Sequence, residues 1–247
     1  MENRIEWILG NCIEKMQQIQ SGTVDMILSD LPQNITKNKW DIIIPWEQLW
    51  KEYKRVTKEN AAIVLFGNQP FTSELVNSNR KMFKYSLVWQ KTTSTGFLNA
   101  KKMPLRSHED ICVFYRKPCI YNPQKTTGHP RKVSTATHKL NCKETENYGK
   151  HGLVTYDSTE RYPTSVLKYK LDKQHSNLHS TQKPVALLEY LIRTYTNEDE
   201  TVLDSTAGSA STVIAALNTN RRCIGIEKDE SIYRIGKERI EKWRKEE

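Results

Sequence analysis

The chain has 247 residues, 37% of them hydrophobic and 27% charged, with a formal net charge of +9. That length and balance suit one substantial soluble α/β domain with an elaboration, and exclude a disordered or fibrous chain. No apolar run approaches the roughly 20 residues that a membrane-spanning helix needs. The opening MENRIEWILGN lacks the apolar stretch of a signal peptide, so a cytoplasmic location is the expectation. An excess of Lys and Arg either solvates the surface or meets a polyanion, most often nucleic acid. Cys12, Cys112, Cys119, Cys142 and Cys223 are scattered without a CxxC pair, which argues against a disulfide framework. His138 and Cys142 stand four apart, as do His175 and His179, but neither pair has a second ligand pair. No metal is therefore expected.

In chain order the first part alternates strands and helices. A short strand at Arg4–Leu9 precedes a helix at Cys12–Ile19. Val24–Ser29 (VDMILS) is nearly all apolar, which predicts a strand buried on both faces of a parallel sheet. Helix spacing follows Pro45 over Trp46–Val56, proline being favoured at helix starts. Ala61–Phe66 is another buried strand, Pro70–Asn79 a helix, Tyr85–Trp89 a strand, and Asp110–Tyr115 the last strand of this half. From residue 116 to 180 the apolar runs vanish. That stretch carries 12 Lys or Arg against 5 Asp or Glu, with five of the six histidines. It reads as a long insertion, which is either a functional element or a loose loop. Order returns with a helix at Val185–Tyr195, a strand at Thr201–Asp204 and a helix at Thr212–Asn218. A strand at Arg222–Ile226 and a charged helix at Glu230–Trp243 complete the chain. Strands alternating with helices predict a doubly wound, mostly parallel sheet.

Three segments carry candidate chemistry. In VLDSTAGSASTVIAALNTNRRCIGIEKD a buried strand ends at Asp204, a turn of small residues centred on Gly208 opens a helix, and the next strand ends at Glu227. Small residues let backbone N–H groups approach a ligand, and an acid ending the second strand can accept both hydroxyls of a ribose. The same layout also simply closes a βαβ unit. The second segment, LSDLPQN at Leu28–Asn34, ends the most apolar strand, at the sheet edge where α/β proteins place their sites. There Asp30 and the carbonyl before Pro32 could grip an amino group, or Asp30 could cap the next element. The third, HSTQKPVALLEYLIRTY, begins at His179 and sets polar Thr181, Gln182 and Lys183 before a helix that starts at Pro184.

The order of these segments, D-x-P-x early, T-Q-K-P late and the glycine turn after it, resembles the circularly permuted beta group of S-adenosylmethionine (SAM)-dependent DNA amino-methyltransferases. GNCIEKM, VLFGNQPFTSEL, YSLVWQK, GFLNAKKMPLRSHEDICVFYRK and RYPTSVL are similar to the blocks that such proteins carry between the motifs. The resemblance covers nearly the whole chain, is nearest to phage-type adenine methyltransferases, and is thinnest over Thr126–Asp157. It implies a Rossmann-like methyltransferase fold: a catalytic half at 1–115, a basic target-recognition insertion at 116–180 and a SAM-binding half at 181–247. It also implies SAM as cofactor, duplex DNA as partner and a base flipped out of the stack. Adenine N6 is favoured over cytosine N4. Asp30, Leu31, Pro32 and Gln33 fall on the catalytic motif. Asn11, Thr181, Gln182, Lys183, Asp204, Gly208, Ser209 and Glu227 fall around the cofactor. A dimer or partner subunit stays open.

The sequence departs from that pattern at the centre of both motifs. The family's D-P-P-Y is Asp30-Leu31-Pro32-Gln33, so the ring that stacks on the base is missing, a loss worth ~1–3 kcal/mol. The turn G-S-G-T-T is Gly208-Ser209-Ala210-Ser211-Thr212, with alanine where a positive φ costs ~1–2 kcal/mol and where a methyl would meet the ligand. Asn11 replaces an acid, and Ser180 a proline. Two main readings follow: a working DNA methyltransferase, or a pseudo-methyltransferase that binds DNA or a partner subunit. A methyltransferase acting on RNA is a third.

Overall fold

The structure is a computed structural model. It describes residues 4–34, 41–134, 156–172 and 182–246, together with the backbone of 144–145 and 149–150. His138, Cys142, His175, His179, Ser180 and Thr181 lie outside the described residues. The contacts divide the chain into two units, residues 1–122 with 165–247, and residues 123–164.

The larger unit is built on eight strands: β1 (Ile5–Leu9), β2 (Val24–Ser29), β3 (Thr57–Gly67), β4 (Phe83–Thr95), β5 (Arg106–Phe114), β10 (Val166–Tyr169), β11 (Thr201–Asp204) and β12 (Arg222–Glu227). Their order is β1-β12-β11-β2-β3-β5-β4-β10. Within this sheet β5 runs against its neighbours β3 and β4, and every other pair is parallel. Among the described residues six helices accompany it: α1 (Cys12–Met16), α2 (Trp46–Val56), α3 (Phe71–Ser78), α4 (Val185–Tyr195), α5 (Ser211–Asn218) and α6 (Glu230–Glu246).

The alternation of the buried strands sorts the core into two layers. On β3, Ala62, Val64 and Phe66 pack with Leu187, Leu188 and Leu191 of α4 and with α5. Ile63 and Leu65 pack on the other face with Leu49, Tyr53 and Val56 of α2 and with α3. This period of two between helices on both faces is what a doubly wound sheet requires. The helix spacing is equally plain. Leu49, Trp50, Tyr53 and Val56 form the buried stripe of α2, while Glu47 opens it and Lys54 and Arg55 close it in accord with the helix dipole.

The strands differ from the sequence expectation where they turn polar. β4 runs six residues beyond Trp89, and β5 begins at Arg106 rather than Asp110. The two extensions form a hairpin in which Thr95 faces Arg106. Residues 166–169, inside the basic stretch expected to hold no core, form β10 and pair in parallel with β4. Trp89 Nε1 donates to the Tyr169 carbonyl at 3.1 Å. The smaller unit holds β6 (Lys132–Ser134) antiparallel to β9 (Tyr156–Ser158). Arg131 grips the Asp157 carboxylate with two bonds of 2.8 and 2.6 Å. A short ladder joins β7 (Glu144–Thr145) and β8 (Gly149–Lys150).

Candidate functional site

The chain leaves β2 toward β3 on one side, and leaves β11 toward β12 on the other. The adjacent carboxyl ends of β2 and β11 therefore flank a switch point, where open α/β sheets bind ligands. Hydroxyls stitch the two ends together. The Ser205 N–H donates to Ser29 Oγ at 2.9 Å, Tyr53 Oη meets Ser205 Oγ at 2.6 Å, and Thr206 Oγ1 donates to the Asp30 carbonyl at 3.0 Å.

A cavity of about 830 Å³ opens here. Its wall includes Asn11, Asp30, Leu31, Pro32, Gln33, Gln182, Lys183, Asp204, Gly208, Ser209 and Glu227. Every described residue that the sequence picked out for the site thus meets the others in one space, although the segments lie up to about two hundred positions apart.

At the β2 end Asp30 holds the centre. Lys183 Nζ lies 2.5 Å from its Oδ2, and Gln33 Nε2 donates to its Oδ1 at 3.2 Å. Lys183 is shared with Glu109 at 3.1 Å, and Glu109 is in turn 2.6 Å from Lys91. Four charges of alternating sign form a line, and Lys91, Glu109 and Lys183 each have side chains no more than 10% exposed. Burial alone would neutralise Lys183, but the carboxylates of Asp30 and Glu109 outweigh it and hold the ammonium above its usual range. Burial raises the Asp30 carboxyl, with Lys183 pulling against it and Glu109 adding to the rise. Sequence reasoning missed Lys91 and Glu109. The signal was a spacing of two from buried Trp89 to Lys91, and Glu109 stands across from Trp89 in the ladder.

Gln33 does not stand free. Its Oε1 accepts from the Asn68 backbone N–H at 3.0 Å, and the residue is only 9% exposed. Asp41, also missed from sequence, organises this loop. Its Oδ1 accepts from the backbone N–H groups of Gln33 and Asn34, both at 2.7 Å.

At the β11 end the glycine turn is held by Glu227. One carboxylate oxygen accepts from Gly208 N–H at 2.9 Å and the other from Asp229 N–H at 2.8 Å. Gly208 has φ +53°, and the space beside its Cα is open, so a ligand can approach the backbone there. Burial pushes Asp204 up to about 6, against hydrogen bonds from Thr212 and the Thr206 N–H. Asn11 Oδ1 accepts from Ile13 N–H at 2.9 Å and so caps α1 while lining the cavity. Gln182, with its amide oxygen turned to the Arg239 guanidinium at 2.8 Å, ties the start of α4 to α6.

Ala210 corrects the sequence reading. Its φ is +66°, the left-handed conformation that favours glycine. Its side chain, however, is wholly buried in the apolar core with Val213 and Ile214 and is not part of the cavity wall. The alanine strains the backbone and does not obstruct a ligand.

The sequence matches the N6/N4 methyltransferase family, described as DNA methylase, over residues 24–238. The chain belongs to this family. It is 48% identical to the putative methylase YubD of Escherichia coli (strain K12), spanning 95% of this chain and 89% of that one. It is 37% identical to the type II methyltransferase M2.DpnII of Streptococcus pneumoniae, spanning 97% and 91%. In three dimensions this methylase chain is similar to the M1.HpyAVI–SAM complex, with a TM-score of 0.64 at 21% identity, covering 96% of this chain and 98% of that one. Among the described residues no cluster of His, Cys, Asp and Glu is suited to a metal ion, and no helix is long and apolar enough to cross a membrane.

Proposed function

We propose that this chain transfers a methyl group from SAM to the exocyclic amine of a base in duplex DNA, adenine N6 in preference to cytosine N4. One observation supports this most: Asp30 and the glycine turn, on separate halves of the sequence, line the same cavity at the switch point of the sheet. The turn fits SAM. Gly208 offers open backbone, Glu227 lies beside it to take the ribose hydroxyls, and Asn11, Gln182, Asp204 and Ser209 complete that end. Thr181 belongs to the same group, and residues 116–180 are assigned to target recognition.

When bound, SAM supplies an electrophilic methyl group. The chain's own part is to bind and orient the base. Asp30 Oδ1 accepts an N–H of the target amine and holds the proton that must leave. Lys183 on Oδ2 fixes the carboxylate plane, and the partial burial that raises Asp30 makes it the better acceptor. Pro32 shapes the loop that presents Leu31 and Gln33 to the base, which reaches the cavity by leaving the stack.

A second reading rests on Gln33. Its amide, bonded to Asp30, stands in place of a stacking ring, which suits a protein that binds DNA or a partner without transfer. Tritiated methyl transfer from SAM to mixed-sequence duplex DNA separates the two. The wild type should transfer, and Asp30→Ala should fall at least about a hundredfold while calorimetric SAM binding is retained. A wild type that binds SAM and DNA but transfers no more than Asp30→Ala establishes the second reading. Nucleoside mass spectrometry of the product assigns adenine or cytosine.

A further inference from the structure

The β4–β5 hairpin ends in residues that the site itself does not use. From Gly96 to His108 every residue is exposed, and the tip is apolar: Phe97 is 81% exposed, Leu98 99% and Met103 59%. Gly96 turns the chain at φ +89°, and one 3-10 turn at Phe97–Asn99 carries the two large side chains. No acidic residue occurs between Thr92 and His108, whereas Lys101, Lys102 and Arg106 do. Both roots of the tip, Thr95 and Arg106, line the cavity.

We infer that this tip is a wedge for duplex DNA, with Phe97 and Leu98 entering the base stack beside the cavity and filling the space that the target base vacates. The inference rests on the DNA reading above. Exposed Phe and Leu gain nothing from water and call for a covering surface. The cations among them match phosphates and not another apolar patch. Thr95 and Arg106 put the roots of the tip on the cavity wall, so a duplex that delivers a base to Asp30 would lie against the tip. Apolar side chains inserted between base steps offset part of the unstacking cost of opening the helix.

The test uses the full chain and fluorescence anisotropy with a mixed-sequence 30-mer duplex, intact or with one central abasic site. Because the side chains are exposed, Phe97→Ala/Leu98→Ala should melt as the wild type does. It should bind both duplexes about tenfold more weakly or worse, with the slope of log K against log salt unchanged, since no phosphate contact is removed. The wild type should prefer the abasic duplex severalfold, and the variant should lose that preference. Lys101→Ala/Lys102→Ala should instead flatten the salt slope. Binding of the apolar variant within twofold of the wild type on both duplexes overturns the wedge. So does a loss explained by light scattering as a dimer falling to monomers, which assigns the tip to a second copy. If the wild type transfers no methyl groups but the binding pattern holds, the catalytic reading fails and the wedge stands. If the wild type transfers and the apolar variant binds and transfers equally well, the wedge alone fails.

Discussion

Gln33 ties Asp30, after β2, to Asn68, after β3, by three polar contacts of 3.0 to 3.3 Å, one to Asp30 and two to Asn68. An amide there prefers these bonds to lying flat on a base. Gln33→Tyr frees Asp30 Oδ1 for an incoming amine and restores a ring, so methyl transfer should rise roughly 5- to 150-fold, the equivalent of ~1–3 kcal/mol of stacking. A variant that folds and shows no rise removes stacking as the missing element. Ala210→Gly should leave calorimetric SAM affinity within about twofold, because the methyl it removes lies in the core. Asp204 gives a pH signature. Its carboxyl rises from 3.8 unfolded to about 6 folded, so the native state binds more protons between those values and stability falls as pH rises through that window. The cost at neutral pH is about 3 kcal/mol. Urea unfolding of Asp204→Asn should show the variant more stable than wild type at pH 7.5, with the gain shrinking toward pH 4. A gain independent of pH would assign it to something other than charge.

On the scale of elements, α6 is seated by one indole. Trp7 of β1 stacks on Tyr233 at 5.5 Å with ring planes 10° apart, and its Nε1 donates to the Tyr233 carbonyl. Gly225 of β12 and Gly236 of α6 make room for it, since a Cβ on Gly225 would fall 2.7 Å from the ring and one on Gly236 closer still. Gly236→Ala adds helix propensity but overpacks this notch, so unfolding free energy should drop by about 1–3 kcal/mol. An unchanged or raised midpoint would mean that the ring moves freely. Neither glycine is visible as a packing residue in the sequence, whereas α2 and α4 are, because their apolar stripes repeat at helical spacing and a proline precedes each. β10 was hidden for the opposite reason. It has four residues in a basic stretch, and its partners, β4 and Trp89, lie about eighty positions away. The site divides in the same way. Asp30, Asp204, Gly208 and Glu227 are legible because each ends an apolar run or sits in a turn of small residues. Lys91 and Glu109 look like the solvent face of polar strand ends, and their burial is explained by ion pairs with each other and Lys183, and by the Trp89 ring under the Lys91 ammonium.

For the molecule as a whole, the proposed action on DNA and a charge of +9, with 12 cations against 5 acids in residues 116–180, predict binding through phosphates. Affinity for mixed-sequence duplex should fall linearly in log K against log salt, by about tenfold or more between 50 and 200 mM. Binding that ignores salt would exclude the polyanion reading. The order of strands has a further effect, on biosynthesis. β1 has one neighbour, β12, and β2 needs β11 to cover its inner edge, yet both partners come from residues 201–227. A ribosome that has released the first 200 residues has made five strands of the sheet's first half and β10, but it leaves β1 unpaired and VDMILS with an open apolar edge. Such an edge templates aggregation. The nascent chain is therefore most exposed just before residues 201–227 emerge, and a product truncated there should reach chaperones or inclusion bodies rather than persist as a folded fragment.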